Sequence, residues 1–328
     1  MPVELRDIER ARAVIAGTVR STPVDLSADL THLIGVPVHL KLELHQRTGS
    51  FKLRGAANAV LALGEEARQR GVVGVSTGNH GRGLAYAARA AGVRCIICMS
   101  RLVPQNKVDG IKALGAEVRI VGVSQDEAQT EVDRLVADDG MTMVPPFDHP
   151  NIIAGQGTIG LEMLEQVKDI EFVLIPVSGG GLISGVAAAL KATRPDIRVI
   201  GVSMERGAAM AASLDAGRPV QVEELATLAD SLGGGIGLDN RHTFQMVRDL
   251  VDDLVLVNEV EIAGAIRHVY WRERQIVEGS GAVGVAALLC GKVKPPGPTV
   301  VLLSGGNIDM ALHHRIISGE DVDITQGV

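Results

Sequence analysis

Phe172-Val173-Leu174-Ile175-Pro176-Val177 runs into Ser178-Gly179-Gly180-Gly181-Leu182-Ile183-Ser184-Gly185 and then Val186-Ala187-Ala188-Ala189-Leu190, which reads as a buried strand, a glycine-rich turn and the start of a helix. An unbroken apolar run of strand length belongs in a parallel sheet covered on both faces. The glycines let successive backbone N–H groups converge while the helix behind them adds its positive end, so the turn is a candidate phosphate cradle. It lacks the Gly-Lys-Ser/Thr ending of a nucleotide P-loop and fits G-x-G-x-x-G poorly, which favours a monophosphate over a dinucleotide. The same glycines would equally serve a turn that lets helix and strand pack closely.

Outward from this unit, strand-like runs alternate with helix-length periodic segments through most of the chain, the pattern of a doubly wound α/β fold. Strands are expected at 36–43, 71–76, 94–99, 117–121, 141–144, 172–176, 198–202, 253–257 and 299–303, and helices at 56–63, after Asn79, at 107–114 and at 125–137. Pro37 suits the start of a strand or an edge, because proline has no N–H for a central ladder. Pro145-Pro146-Phe147-Asp148-His149-Pro150 breaks the pattern and is the expected crossing between two lobes. Residues 292–298 read as a surface loop and 319–328 as a polar, mobile tail.

The 328 residues, 46% hydrophobic and with a net charge of -7, are enough for two lobes around large cores. No basic tract or aromatic cluster argues for nucleic acid, and no apolar run is long enough for a membrane span, so the expected partners are small molecules or other copies of the chain. Three cysteines form no disulfide framework, and the N-terminus lacks the apolar run of a signal peptide, which points to the cytoplasm. Cys95 and Cys98 make a C-x-x-C inside a strand-like run, with no second pair to complete a zinc site, so they read as core.

Three further segments carry chemistry. In Thr48-Gly49-Ser50-Phe51-Lys52-Leu53-Arg54-Gly55-Ala56 the lysine starts a helix, where the helix dipole and Arg54 both favour its neutral, nucleophilic amine. Opening an amphipathic helix is the plainer role. Val75-Ser76-Thr77-Gly78-Asn79-His80-Gly81 follows a strand and opens a helix, offering hydroxyls and backbone donors to a carboxylate, or simply an N-cap with a glycine turn. Val301-Leu302-Leu303-Ser304-Gly305-Gly306-Asn307 ends a third strand in small polar residues, where Ser304 could meet a ring nitrogen or the chain could merely turn. Ligands of open α/β sheets gather at the carboxyl ends of strands, where all these segments fall.

With these four motifs in this order, the chain resembles the fold-type II pyridoxal-phosphate enzymes, in particular the threonine/serine dehydratase and serine racemase group. The resemblance covers nearly the whole chain. It implies a two-lobed, tryptophan synthase β-like α/β fold of mainly parallel sheets, with residues 1–60 and 148–328 as a large cofactor-binding domain and 61–147 as a small substrate-side domain. It implies pyridoxal 5'-phosphate held covalently by Lys52, with Phe51 beside the ring, Ser178, Gly179, Gly180, Gly181 and Leu182 at the phosphate, Asn79 at the ring hydroxyl, Ser304 at the ring nitrogen and Glu278 near the ring. Ser76, Thr77, Gly78, Asn79 and His80 would surround the substrate carboxylate, with Lys52 and Thr77 as catalytic groups. A solvated glutamate at a helix end is the alternative for Glu278. A homodimer is the family's expected assembly.

The implied reaction is elimination of water from a β-hydroxy amino acid with loss of ammonia, Lys52 serving as nucleophile and base. A neutral serine at the ring nitrogen makes the ring a weaker electron sink and favours loss of a β-leaving group over transamination. Racemases of this group carry a second serine with no clear counterpart here. Their divalent-cation ligands align with Met204 and Met210, poor ligands for hard cations, so no metal site is expected, Glu205 being the sole acidic neighbour in an alternative register. Ser231 stands where dehydratases place glycine, the segment after Glu278 lacks a common proline, and His45-Gln46-Arg47 resembles dehydratases associated with hydroxyectoine utilisation. Threonine or serine, hydroxyaspartate and a hydroxyectoine-related compound are therefore the substrate candidates. A racemase, a β-replacement synthase and a non-catalytic phosphometabolite-binding protein are the competing readings.

Overall fold

The computed structural model describes residues 3–76, 78–103 and 105–322. Thr77 and the end of the expected tail, residues 323–328, lie outside the described residues. Ten strands, β1 (Val24–Leu26), β2 (Val38–Leu42), β3 (Val72–Val75), β4 (Cys95–Met99), β5 (Glu117–Ile120), β6 (Thr142–Met143), β7 (Phe172–Pro176), β8 (Arg198–Met204), β9 (Asp253–Val257) and β10 (Thr299–Leu303), form two sheets. The six-stranded sheet runs β1-β2-β10-β7-β8-β9, and only β1 is antiparallel to its neighbour. The four-stranded sheet runs β5-β4-β3-β6 and is parallel throughout.

Alternation along β7 and β10 explains why nearly every position in them is apolar. In β7, Phe172 and Leu174 enter the core shared with helix Gly279–Leu289, whereas Val173 and Ile175 enter the core shared with helix Gly181–Thr193. β10 divides in the same way, Val301 and Leu303 to one side and Val300 and Leu302 to the other. Side chains alternate across a strand, so a sheet covered by helices on both faces needs apolar residues in both registers. β4 does likewise, with Ile97 and Cys95 in one core and Ile96 and Cys98 in another, and burial pushes the Cys95 thiol up to about 12 and that of Cys98 to about 11. These two cysteines are core residues, as the sequence suggested.

The strand expectations hold to within a few residues, with two differences. β1 is too short and too exposed to show a pattern in the sequence. Pro37 lies just outside β2, which is internal and flanked by β1 and β10; the Pro37 carbonyl accepts from Thr299 N at 2.9 Å. The helix expected at 56–63 spans Lys52–Leu61, so Lys52 is its first residue. The candidate crossing at 145–150 does connect the four-stranded sheet back to the larger one, through helix Pro150–Gln166, which packs on helices Lys52–Leu61 and Gly181–Thr193.

Candidate active site

Sheet order creates the site. β10 lies between β2 and β7, so the turn after β7, the motif after β10 and the loop after β2 emerge side by side although they are far apart in sequence. The β2 loop is then stitched to the end of β10. Phe51 N donates to Ser304 O at 3.1 Å, Ser50 and Gly305 form an antiparallel bridge, and Gly306 N donates to Gly49 O at 2.9 Å. These bonds fix the first turn of the Lys52 helix against Ser304.

A cleft with about 460 Å³ of space outside protein atoms, open solvent included, is lined by Phe51, Lys52, Asn79, Ser178, Gly179, Gly180, Gly181, Leu182, Glu278 and Ser304. Every one of these was singled out from the sequence. Phe147, Pro176, Ser231, Leu232 and Ser280 complete the wall. Ser76 and Gly78 lie at the β3 loop, where Gly78 N donates to Ser76 Oγ at 3.3 Å. His80 is buried one residue beyond Asn79 and does not join the lining; its Nε2 meets Val144 O at 2.8 Å. Burial, reinforced by the Lys52 charge, pulls the His80 imidazole down to about 4, so it is neutral at pH 7.

Lys52 Nζ lies 5.3 Å from the centroid of the Phe51 ring and donates to Pro146 O at 2.9 Å. Desolvation lowers its pKa to about 8, against the opposing pull of Glu278. The cause differs from the one expected from the sequence. Arg54 plays no part, because its buried guanidinium is paired with Glu43 at 2.7 Å and Glu162 at 2.7 Å, and Glu162 also pairs with Lys41 at 2.6 Å. Two buried cations thus meet two buried carboxylates behind the Lys52 helix.

Glu278 is 4% exposed, which decides against a solvated helix-end glutamate. Its Oε1 accepts from Asn79 Nδ2 at 2.7 Å and its Oε2 from Asn307 N at 3.0 Å. Burial, with Asp230 nearby, pushes its carboxyl up to about 7 even though both hydrogen bonds act the other way. Asn307 Nδ2 donates to Asn79 Oδ1 at 2.6 Å and to Thr48 O at 2.9 Å, closing a network between the two sheets. Sequence reasoning did not assign Asn307, Pro146, Phe147 or Ser280; the one available signal was the Gly-Gly-Asn ending of the β10 motif.

The glycine turn fits a phosphate group. Gly180 has φ +86°, and a Cβ at Gly179 would come within 2.4 Å of the Phe147 ring. The first intrahelical bond of Gly181–Thr193 runs from Ser184 N to Gly180 O at 2.9 Å, and the N–H groups of a helix's opening turn have no carbonyl of their own helix to meet. Those donors border the cleft, where an anion would satisfy them. Ser280 Oγ, also in the cleft wall, is buried without a partner. A lysine amine near 8, a bare helix N-terminus and the unmet Ser280 hydroxyl together suit a ligand carrying both an aldehyde and a phosphate.

Met204 and Met210 are both buried; Met204 S accepts from Ser203 Oγ at 3.4 Å, and Glu205 pairs with Lys292 at 3.2 Å. Among the described residues no helix is long and apolar enough to cross a membrane.

Residues 15–305 match the family described as pyridoxal-phosphate dependent enzyme. The chain is 63% identical over 97% of its length to a protein of Sinorhizobium fredii named "Putative threonine dehydratase", covering 96% of that protein. It is 44% identical over 96% of its length to the L-threonine ammonia-lyase of Thermotoga maritima, covering 78% of it. The structure of maize serine racemase superposes with a TM-score of 0.91 at 34% identity, covering 97% of this chain and 98% of that one. A match of this extent, on a cleft built for an aldehyde and a phosphate, makes the chain a member of the pyridoxal-phosphate dependent enzyme family.

Proposed function

We propose that this chain is a lyase that eliminates water from a β-hydroxy amino acid and releases ammonia and a 2-oxo acid. The observation that carries the reading is the Lys52 amine, lowered to about 8 in a cleft shared with the glycine turn and Ser304. Likeness over nearly the whole chain to proteins named for threonine dehydration and deamination supports it.

In this reading the backbone donors of 178–182 hold the phosphate, Ser304 meets the ring nitrogen, Asn79 the ring hydroxyl, and Phe51 packs beside the ring. Ser76, Thr77, Gly78, Asn79 and His80 form the substrate side. When bound, the cofactor supplies an electron sink that acidifies the substrate Cα–H. Lys52 would hold it covalently, and its amine would be free to act as a base once a substrate amine takes its place. The freed amine then takes the Cα proton, a task suited to a base whose pKa lies near neutral pH. The Cβ–O bond breaks with its electron pair going to oxygen, which gains a proton and leaves as water; the released enamine then takes a proton at Cβ, and one water adds to the resulting imine to give the 2-oxo acid and ammonia. Glu278, raised to about 7 by burial, accepts from the Asn79 amide and so fixes that side chain at the cleft. Ser304 carries no charge to keep the ring nitrogen protonated, which favours β-elimination over transamination.

Threonine or serine, hydroxyaspartate and a hydroxyectoine-related compound are the substrates to test. The reading also takes 1–60 with 148–328 as the cofactor-binding domain and 61–147 as the substrate-side domain, in a cytoplasmic homodimer. Free thiols at Cys95, Cys98 and Cys290 agree with a reducing compartment. Racemisation is the second reading, favoured by the likeness to maize serine racemase.

The deciding experiment is a substrate panel on the purified holoenzyme, following ammonia release, 2-oxo acid and the chirality of recovered substrate. Protein that stays colourless with added pyridoxal phosphate, or that turns over none of the panel, would sink the lyase reading. Ser304→Asp should shift turnover from elimination toward transamination, and an unchanged product ratio would remove the electron-sink argument.

A further inference from the structure

Helix Asn79–Ala90 carries two arginines, and they differ in their surroundings. Arg89 donates to Ala113 O at 3.3 Å. Arg82 is half-buried, its Nε is fully enclosed without a partner, and its guanidinium has no hydrogen bond or ion pair among the described residues. An arginine keeps its charge and five donors under all ordinary conditions, and here the enclosed Nε–H is the donor that solvent does not reach, so a ligand at this guanidinium would meet a group that nothing in the fold satisfies.

Its position is that of a substrate-side group. Arg82 follows Asn79 by three residues and so lies on nearly the same face of the helix, with a side chain that leans back toward the N-terminal end. Its charge is felt by Glu278 in the cleft wall. A Cβ at Gly110 would come within 3.1 Å of Arg82 Nη1, so the absence of a side chain there makes room for the guanidinium. A Cβ at Gly78 would meet nothing within 4 Å, which leaves open space above the β3 loop.

We propose that Arg82 selects the substrate by receiving a second carboxylate, so that the preferred β-hydroxy amino acid is a four-carbon amino dicarboxylate of the 3-hydroxyaspartate type. This rests on the lyase reading above. In the reading above Ser76, Gly78 and Asn79 would serve the α-carboxylate, and Arg82 stands about one turn further along the same helix. The two carboxyl carbons of an extended four-carbon diacid are separated by three C–C bonds, about 3.9 Å. A diacid whose α-carboxylate sits at the helix start could extend its second carboxylate toward Arg82, whereas threonine, whose fourth carbon is a methyl, would offer that guanidinium nothing.

The test compares the wild-type holoenzyme with Arg82→Gln and Arg82→Lys. Ammonia release is measured from threonine and from both diastereomers of 3-hydroxyaspartate. Binding of L-aspartate and L-alanine, which have no β-hydroxyl to lose, is read from the cofactor absorbance and by calorimetry. The expected result is that one hydroxyaspartate diastereomer exceeds threonine in kcat/KM, and that Arg82→Gln lowers this ratio by ten- to a hundredfold or so, mainly through KM, with partial recovery in Arg82→Lys. Wild-type protein should also bind aspartate at least about tenfold more tightly than alanine, and Arg82→Gln should erase that preference. An unchanged hydroxyaspartate-to-threonine ratio, or equal binding of aspartate and alanine by the wild type, would overturn the proposal. If no substrate is turned over yet the aspartate preference is present and lost in Arg82→Gln, the second-carboxylate site stands and the lyase reading fails.

Discussion

Lys52 Nζ donates to the carbonyl of Pro146 at 2.9 Å, tying the amine to the strap that joins the two sheets. The bond holds the amine at the cleft wall and leaves burial to set its basicity. Lys52→Ala should abolish the borohydride-fixed adduct between protein and pyridoxal phosphate, seen by mass spectrometry, and lower turnover by on the order of a thousandfold or more.

The same amine makes a prediction about stability. Its pKa falls from 10.5 unfolded to about 8 folded, so its contribution is most favourable above 10.5 and is lost as pH falls through 8. At pH 7 the cofactor-free protein therefore carries a largely desolvated cation at a cost on the order of 3 kcal/mol. Lys52→Met should raise the thermal midpoint of cofactor-free protein at pH 7, and the gain should shrink steadily between pH 8 and pH 10.5. A gain independent of pH would mean that packing, not desolvation, sets the difference.

A Cβ at Gly179 would sit 2.4 Å from the Phe147 ring, a contact that neither partner can accept without moving. Gly179→Ala should weaken retention of pyridoxal phosphate by roughly tenfold or more, since displacement of the turn misaligns its N–H donors. Pairing it with Phe147→Ala should restore much of the affinity, because the second change removes the obstacle. Equilibrium dialysis of single and double variants would measure the coupling.

Asn307 joins Thr48, Asn79 and Glu278 in one network. Asn307→Ala keeps the backbone bond to Glu278 but removes the donor that Asn79 Oδ1 and Thr48 O share, at a position where water can take its place. A loss of about 0.5–1.5 kcal/mol in stability is expected, together with a reduced kcat as Asn79 loses its fixed orientation. Denaturant titration and steady-state kinetics would separate the two effects.

Arg54 is fully buried and shared between Glu43 and Glu162. Arg54→Met should destabilise the protein by about 3–5 kcal/mol, because both carboxylates then lose their common partner. Replacing Glu43, Glu162 and Arg54 together with Gln, Gln and Met should cost less than the sum of the single changes, which thermal unfolding of the series would show.

Much of this site was legible because its chemistry is local. Ser178 to Leu182 follow an apolar strand and precede a helix, and no tertiary information is needed to see that a glycine turn in that setting presents N–H groups. Lys52, Asn79 and Ser304 stand at comparable junctions. Glu278 was ambiguous, since a glutamate beside Gly279 says nothing about burial until Leu228 and Asp230 are folded near it. Pro146 and Asn307 were harder still, for each acts across a contact to a residue distant in sequence.

The sequence by itself determined the elements, the glycine turn and the residue types that the chemistry requires, because periodicity and turn chemistry are written within a few neighbouring residues. Only the tertiary structure decided that β10 lies between β2 and β7, which brings Lys52, Ser304 and the turn to one cleft. It alone replaced Arg54 with burial as the cause of the depressed Lys52 basicity, and it alone left Arg82 Nε enclosed with no partner among the described residues. The reason is common to all three: strand order, solvent exclusion and charge pairing are set by groups that meet only when distant parts of the chain pack together.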